Sequence, residues 1–316
     1  MQSLPRSVER YGAAQRRETA AALASVKRSW SRLTPTAFDT DWVMIQPLVV
    51  RALTVAQGNL LADVPDYVTT ALRDTGQTVP AQTFTPNLSR FVGVTGAGVA
   101  LDDAFRGIIP RTKKLVAEGI PAQSAMLRTG NLLMRMAGTI LSDTARGGEQ
   151  LAMKSRSVGY YVRMLAPPSC GRCVILAGSR YGSSTAFQRH PGCDCRHVPV
   201  SDKDAADGLV ESLPEYLDGA DDKKLARVFG SKANAQAYRD GADANQLINA
   251  YREGSLYTAQ VGGRSLLATT EGITRRGVAG SRLPAKAPRL MPATIYRVAA
   301  NRDEALSLLV RNGWIL

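Results

Sequence analysis

Histidine and cysteine are scarce in this 316-residue chain, which has two of the first and four of the second. Aromatic residues make up only 6% of it, so a core drawn from its 44% hydrophobic residues is expected to be rich in Leu, Val and Ala. No run of eighteen apolar residues occurs, which leaves no candidate membrane span. The most apolar stretch, Val43 to Ala56, is interrupted by Gln46, Pro47 and Arg51. The opening residues MQSLPRSVERYGAAQRRE lack the apolar segment of a secretion signal. The expected compartment of synthesis is therefore a cytoplasm, where thiols stay reduced and clustered cysteines more often bind metal than cross-link. There is no Gly-x4-Gly-Lys-Ser/Thr loop, and the glycines of Gly93 to Gly98 do not make a dinucleotide fingerprint. A Ser-His-Asp triad has only His190 or His197 to draw on, and no nucleophile elbow frames a serine. With no catalytic constellation in view, the expectation is that the chain is not an enzyme.

What is present is concentrated. All four cysteines and both histidines lie in residues 170–197, in the order Cys170-x2-Cys173-x16-His190-x2-Cys193-x-Cys195-x-His197. Thiolates and imidazoles are the ligands zinc prefers, and a structural site takes four of them in a tetrahedron. The Cys170/Cys173 pair forms a knuckle whose two-residue spacing lets both sulfurs reach one ion. His190 with Cys193 or Cys195 completes the set, and His197 ranks last. Four protein ligands leave no open position for water, so the expected role of the zinc is structural.

Other readings of the cluster are weaker. Cys170-Gly171-Arg172-Cys173 has the spacing of a thioredoxin-type redox pair but not the βαβ setting. Two disulfides would need an oxidising compartment. A zinc deaminase needs His-x-Glu upstream of its cysteines, and no histidine precedes Cys170. A histidine-dependent nuclease would want several carboxylates close by, and Asp194 is the one acid in the span. Plain core cysteines are not usually written into a glycine-rich basic segment.

The sequence pattern predicts a mainly α chain: a helical body over 1–165, a small Cys/His metal-pinned β-hairpin module over 166–200, an acidic helical segment over 201–257, and a basic linker with C-terminal helices over 258–316. Trp42, Ile45, Val49, Leu53, Ala56 and Leu60 recur at three- and four-residue spacing, one face of a helix. Pro35 and Pro47 are expected to mark a start and a kink. A second helix is expected from Leu101 to about Glu118, stopped by Gly119 and followed by a fresh start at Pro121. A third carries Met126, Leu127, Gly130, Leu133, Met134, Ala137, Ile140 and Leu141. Gly147-Gly148 reads as a break, with a fourth helix over about 149–165. Residues 75–99, rich in Thr, Gly and Pro, read as loop. Within the module, 174–176 and 196–200 are the β-prone pieces, read as a β-hairpin or two short strands. Beyond it, Asp243 with Gln246 resembles a capping box, Phe229-Gly230 a helix end, 258–291 an extended or flexible segment, and Pro292 the opening of a last helical piece.

Charge is uneven. The net charge is +13. Residues 201–250 hold six basic and ten acidic side chains, a balance of −4. Residues 251–316 hold ten and four, and residues 144–200 eight and two, each a balance of +6. An anionic partner such as nucleic acid suits that surplus, as does a merely solvated surface.

The run from Pro168 to Cys173, the step Tyr181-Gly182, the run from His190 to Cys195, and Val198-Pro199-Val200 together resemble the MuF-like head-morphogenesis proteins of tailed bacteriophages. The likeness is nearer to the form found in phages of actinobacteria. It continues through Phe229 to Ala233, Arg239 to Asp243, Asn249-Ala250, Thr270 to Gly277 and Leu290 to Tyr296, covering about residues 100–316. One departure is Asp194, where the common form has a basic residue between the last two cysteines.

The resemblance implies a low-copy minor capsid protein, portal-associated and carried in the virion head after assembly in the host cytoplasm. It would assist head assembly, DNA packaging or DNA delivery. Expected partners are the portal protein, the major capsid or scaffold protein as further candidates, and phage DNA bound without sequence preference. No membrane is expected among them. The alternative is a zinc-stabilised enzyme, a nuclease or toxin, injected with the genome.

Overall fold

The structure, a computed structural model, describes residues 4–166, 169, 171–185, 195–202, 204–207, 209, 213–252, 254–274 and 277–316. Helix accounts for 58% and strand for 10%, so the chain is mainly α with small antiparallel sheets. It divides into two compact units: residues 2–166 with 178–210, here the body, and residues 167–177 with 211–316, the C-terminal unit. The cut therefore runs through the stretch 166–200. No helix is long and apolar enough to cross a membrane among the described residues.

The body is built on α1 (Arg6–Trp30), α2 (Phe38–Ala62), α3 (Val64–Asp74), the short α4 (Leu101–Ala104), α5 (Ile108–Ala117) and the 34-residue α6 (Ala122–Ser155). The periodic face of α2 is buried as its spacing predicts, from Trp42 through Leu60. It packs against Leu133, Ala137, Ile140 and Leu141 of α6 and Val26 and Trp30 of α1. α2 continues through Pro47. Residues 75–99 are loop with one 3-10 turn at Leu88–Phe91, as their composition predicts. The helix expected over 101–118 is two pieces, α4 and α5. Gly119, at φ 87°, ends α5, and α6 starts directly after Pro121.

Two expectations fail on α6. Gly147-Gly148 is not a break, and no fourth helix covers 149–165. These glycines serve close packing rather than termination. A Cβ at Gly147 would lie 2.7 Å from the Phe91 ring, and one at Gly148 2.5 Å from Leu61. Gly130 likewise lies under Trp30, whose indole a Cβ would run into. Gly130→Ala, which in an exposed helix would gain about 1 kcal/mol, is expected here to cost about 1–3 kcal/mol by overpacking. Urea unfolding of the variant checks this, and a gain would refute it.

After Ser155 the chain turns through Ser157, a non-glycine residue at φ 55°. Tyr160–Met164 then forms β1, because its aromatic and branched residues find partners on both edges. A single turn, α7 (Gly171–Val174), belongs to the C-terminal unit, so the strand expected at 174–176 is absent. The chain returns to the body as β2 (Arg180–Gly182) and β3 (Arg196–Val200), followed by α8 (Asp204–Asp207). The sheet order is β2-β1-β3, antiparallel throughout, with Val162 opposite both Arg180 and Val198. In place of a hairpin confined to 166–200, the central strand comes from before that stretch.

The C-terminal unit carries α9 (Leu213–Leu217), α10 (Asp222–Phe229), α11 (Lys232–Arg239) and α12 (Ala244–Asn249). Asp243 caps α12 by accepting from the Gln246 N–H at 2.8 Å, and Gly230 ends α10 at φ 80°. The segment 258–291, expected to be extended or flexible, holds regular structure. β4 (Leu256–Val261) and β5 (Arg264–Thr269) form a hairpin closed by Gly262-Gly263, both at positive φ, as a two-residue turn of this hand requires. α13 (Val278–Arg282) and β6 (Arg289–Leu290) follow, then α14 (Pro292–Val298), opened by Pro292, and α15 (Arg302–Arg311).

Arg289 is the polar centre of this unit and is fully buried. It donates to the Asn312, Glu271 and Gly313 carbonyls at 2.8–3.0 Å and to Gln246 Oε1 at 3.1 Å. Its guanidinium lies 3.8 Å from the centre of the Trp314 ring. Burial brings its pKa down to about 10 against the pull of Glu271, so it stays charged at neutral pH.

Candidate functional site

Of the proposed zinc ligands, Cys170, His190 and Cys193 lie outside the described residues, as does Asp194. Cys173 and Cys195 are each 2% exposed, the first in the C-terminal unit and the second in the body. Around Cys173 the intervening residues of the knuckle have packing roles of their own. A Cβ on Gly171 would strike the Val228 carbonyl, and Arg172 donates to the Tyr251 carbonyl at 3.2 Å. Among the described residues no group of three or more His, Cys, Asp or Glu side chains is placed to hold a metal ion.

The described residues bring together a different constellation, inside the body. His197, on β3, is 3% exposed, and its Nδ1 lies 3.1 Å from Oε2 of Glu149, which is 4% exposed. Gln15 of α1 donates to Glu149 Oε1 at 3.1 Å and in turn accepts from Arg196 Nη1 at 2.7 Å through its own carbonyl oxygen. Arg196 reaches α1 because Gly12 has no Cβ, which would stand 2.8 Å from Arg196 Nε. Arg146, one turn before Glu149, donates to Ser142 Oγ at 2.8 Å and to the Cys195 carbonyl at 3.3 Å. The Tyr67 hydroxyl donates to the His197 carbonyl, and Tyr11 and Tyr67 stack with ring centres 3.9 Å apart. The other face of His197 lies 4.2 Å from the Tyr161 ring centre.

The electrostatics follow from burial. Burial alone would raise the Glu149 carboxyl, but the His197 hydrogen bond and Arg146 outweigh it and hold its pKa below the ordinary value. Burial lowers the His197 pKa despite Glu149. The pair is thus a carboxylate 3.1 Å from the Nδ1 of a neutral imidazole. Burial, and then Glu149, push the Tyr11 hydroxyl well up, so it stays protonated.

Gln15, Arg146, Glu149, Arg196 and His197 line part of a cavity of about 620 Å3 between α1, α6 and β3. Its walls include Leu23, Leu60, Met134 and Leu141, and among the described residues its lining carries Arg16, Arg135, Arg146 and Arg196 against the carboxylate of Glu149.

His197 ranked last as a metal ligand by spacing, and the structure gives it a carboxylate partner instead. Glu149 was not singled out from sequence at all. The signal was there: Leu133, Ala137, Leu141, Ala145 and Glu149 repeat every four residues, and all are buried. An acid on the apolar stripe of a helix must find a partner. Compared with known proteins, the chain matches no protein-family model, no curated protein and no solved structure.

Proposed function

We propose that this chain is a structural minor capsid protein of a tailed phage, of the MuF-like head-morphogenesis type. It is portal-associated, resident in the virion head, and assists head assembly, DNA packaging or DNA delivery. The observation that carries the reading is the motif from Cys170 to Cys195 with its flanking residues. A mainly α body and the basic surplus of 144–200 and 251–316 support it. In this reading Cys170, Cys173, His190 and either Cys193 or Cys195 hold one structural zinc, for which a thiolate-rich donor set is suited. The exposed arginines and lysines contact phosphates without reading sequence.

The test is elemental mass spectrometry of the purified chain beside Cys173→Ala, with duplex DNA binding measured at rising salt and capture on the portal protein of its phage. One zinc per chain, lost in the variant, is expected, together with DNA affinity that falls steeply as salt rises. A metal-free chain with no portal or DNA binding would overturn the reading.

A further inference from the structure

We propose that the body cavity is a binding site for a small amphipathic organic anion, one with an aromatic or aliphatic body and a carboxylate, sulfonate or phosphate head. A cavity of about 620 Å3 is of the size that encloses a small organic molecule, and apolar walls with a few fixed polar groups are what such sites share. Leu23, Leu60, Met134 and Leu141 supply the walls. The polar end is built rather than incidental, since the Arg196–Gln15–Glu149–His197 chain holds its members at 2.7–3.1 Å. Charge selects the ligand's sign. Among the described residues four arginines line the cavity against one carboxylate, Glu149, which His197 and Gln15 already adjoin. Arg16 and Arg135 are exposed and make no ion pair among the described residues.

Gly138 is the second, independent observation. On α6, Gly130, Gly147 and Gly148 are each required by a ring or side chain pressed against the helix. Gly138 is not. Among the described residues a Cβ there would meet only Leu23 Cδ1, at an ordinary 3.8 Å. A mid-helix glycine costs stability relative to alanine, and no packing contact demands this one. It lies in the cavity lining, where its missing side chain is volume left to a ligand.

The test uses the whole chain and two fluorescent probes: 1-anilinonaphthalene-8-sulfonate, which is an amphipathic anion, and its neutral relative N-phenyl-1-naphthylamine. One molecule of the anion per chain is expected to bind, at a Kd on the order of 10 µM for a ligand of that size, and decanoate is expected to displace it. Gly138→Phe fills the cavity and is expected to weaken binding at least about tenfold. Circular dichroism reports whether that variant keeps its fold. The double variant Arg16→Gln/Arg135→Gln alters exposed residues only and is expected to weaken the anion by about two- to tenfold while leaving the neutral probe unchanged. The site is refuted by no saturable binding, by a folded Gly138→Phe that binds as the parent does, or by an arginine double variant that binds both probes unchanged.

Discussion

Replacing Glu149 by alanine is expected to destabilise the body by about 2–4 kcal/mol, since buried polar groups that face the carboxylate cost about 1–3 kcal/mol each when left unsatisfied. The size follows from what would be stranded. The amide of Gln15 would lose its acceptor, His197 would lose the carboxylate 3.1 Å from its Nδ1, and a negative charge near Arg146 would be removed. Urea unfolding at pH 7 measures it, and a loss under about 1 kcal/mol would show that the cluster is not a unit. Acid should reproduce the effect in two stages. His197 has a lowered folded pKa, so its contribution is complete above the unfolded value of about 6.5 and declines as pH falls toward the folded one. Glu149 also has a lowered folded pKa, so its contribution is present above the ordinary carboxylate range and is lost as pH falls through the folded value. Both slopes have the same sign, and stability should begin to decline already below about pH 6.5. His197→Gln should flatten the part between pH 7 and 5. An unchanged slope in that variant would assign the titration elsewhere.

Arg289→Met is expected to cost the C-terminal unit about 3–5 kcal/mol, although methionine fills much of the same volume. The loss is not one of charge pairing. Arg289 satisfies three carbonyls and one side-chain amide in a place without solvent, and the thioether donates to none of them. The contact with Trp314 is lost as well. Hydrogen exchange over residues 240–316 reads the result, because Gln246 of α12, the turn after β5 and the end of α15 are all bonded to this one guanidinium. Exchange protection unchanged from the parent would mean that the turn carbonyls find other donors, and the hub would be dispensable.

Sequence made the helical body legible because a helix that buries one stripe writes it in the chain. The stripe from Trp42 to Leu60 is buried as expected. The same reasoning misjudged glycine. At 147 and 148 a pair of glycines resembles punctuation, and only the Phe91 ring and Leu61 reveal them as sites of close approach. β1 was hidden for a related reason. Tyr160 to Met164 adjoins a helix and prolongs its apolar pattern, and strand becomes the better state only when partners about 20 and 35 residues onward arrive. The hairpin at 256–269 was obscured by exposure: most of its side chains face solvent, so no alternation of apolar residues announces it. The cavity could not be read at all, since Gln15, Glu149 and Arg196 meet only in the fold.

The central place of β1 bears on how the body is made. Both of its hydrogen-bonding edges are covered by strands synthesised later, after the chain has passed through residues 167–177 of the other unit. Until β2 and β3 emerge, the nascent body presents a short apolar strand open on two sides, the form most prone to pair with a neighbouring chain. The helices can condense early through local contacts, whereas closure of this sheet waits on distant ones and is the slower event. The body therefore has its greatest risk of mispairing not at the start of synthesis but in its last stretch.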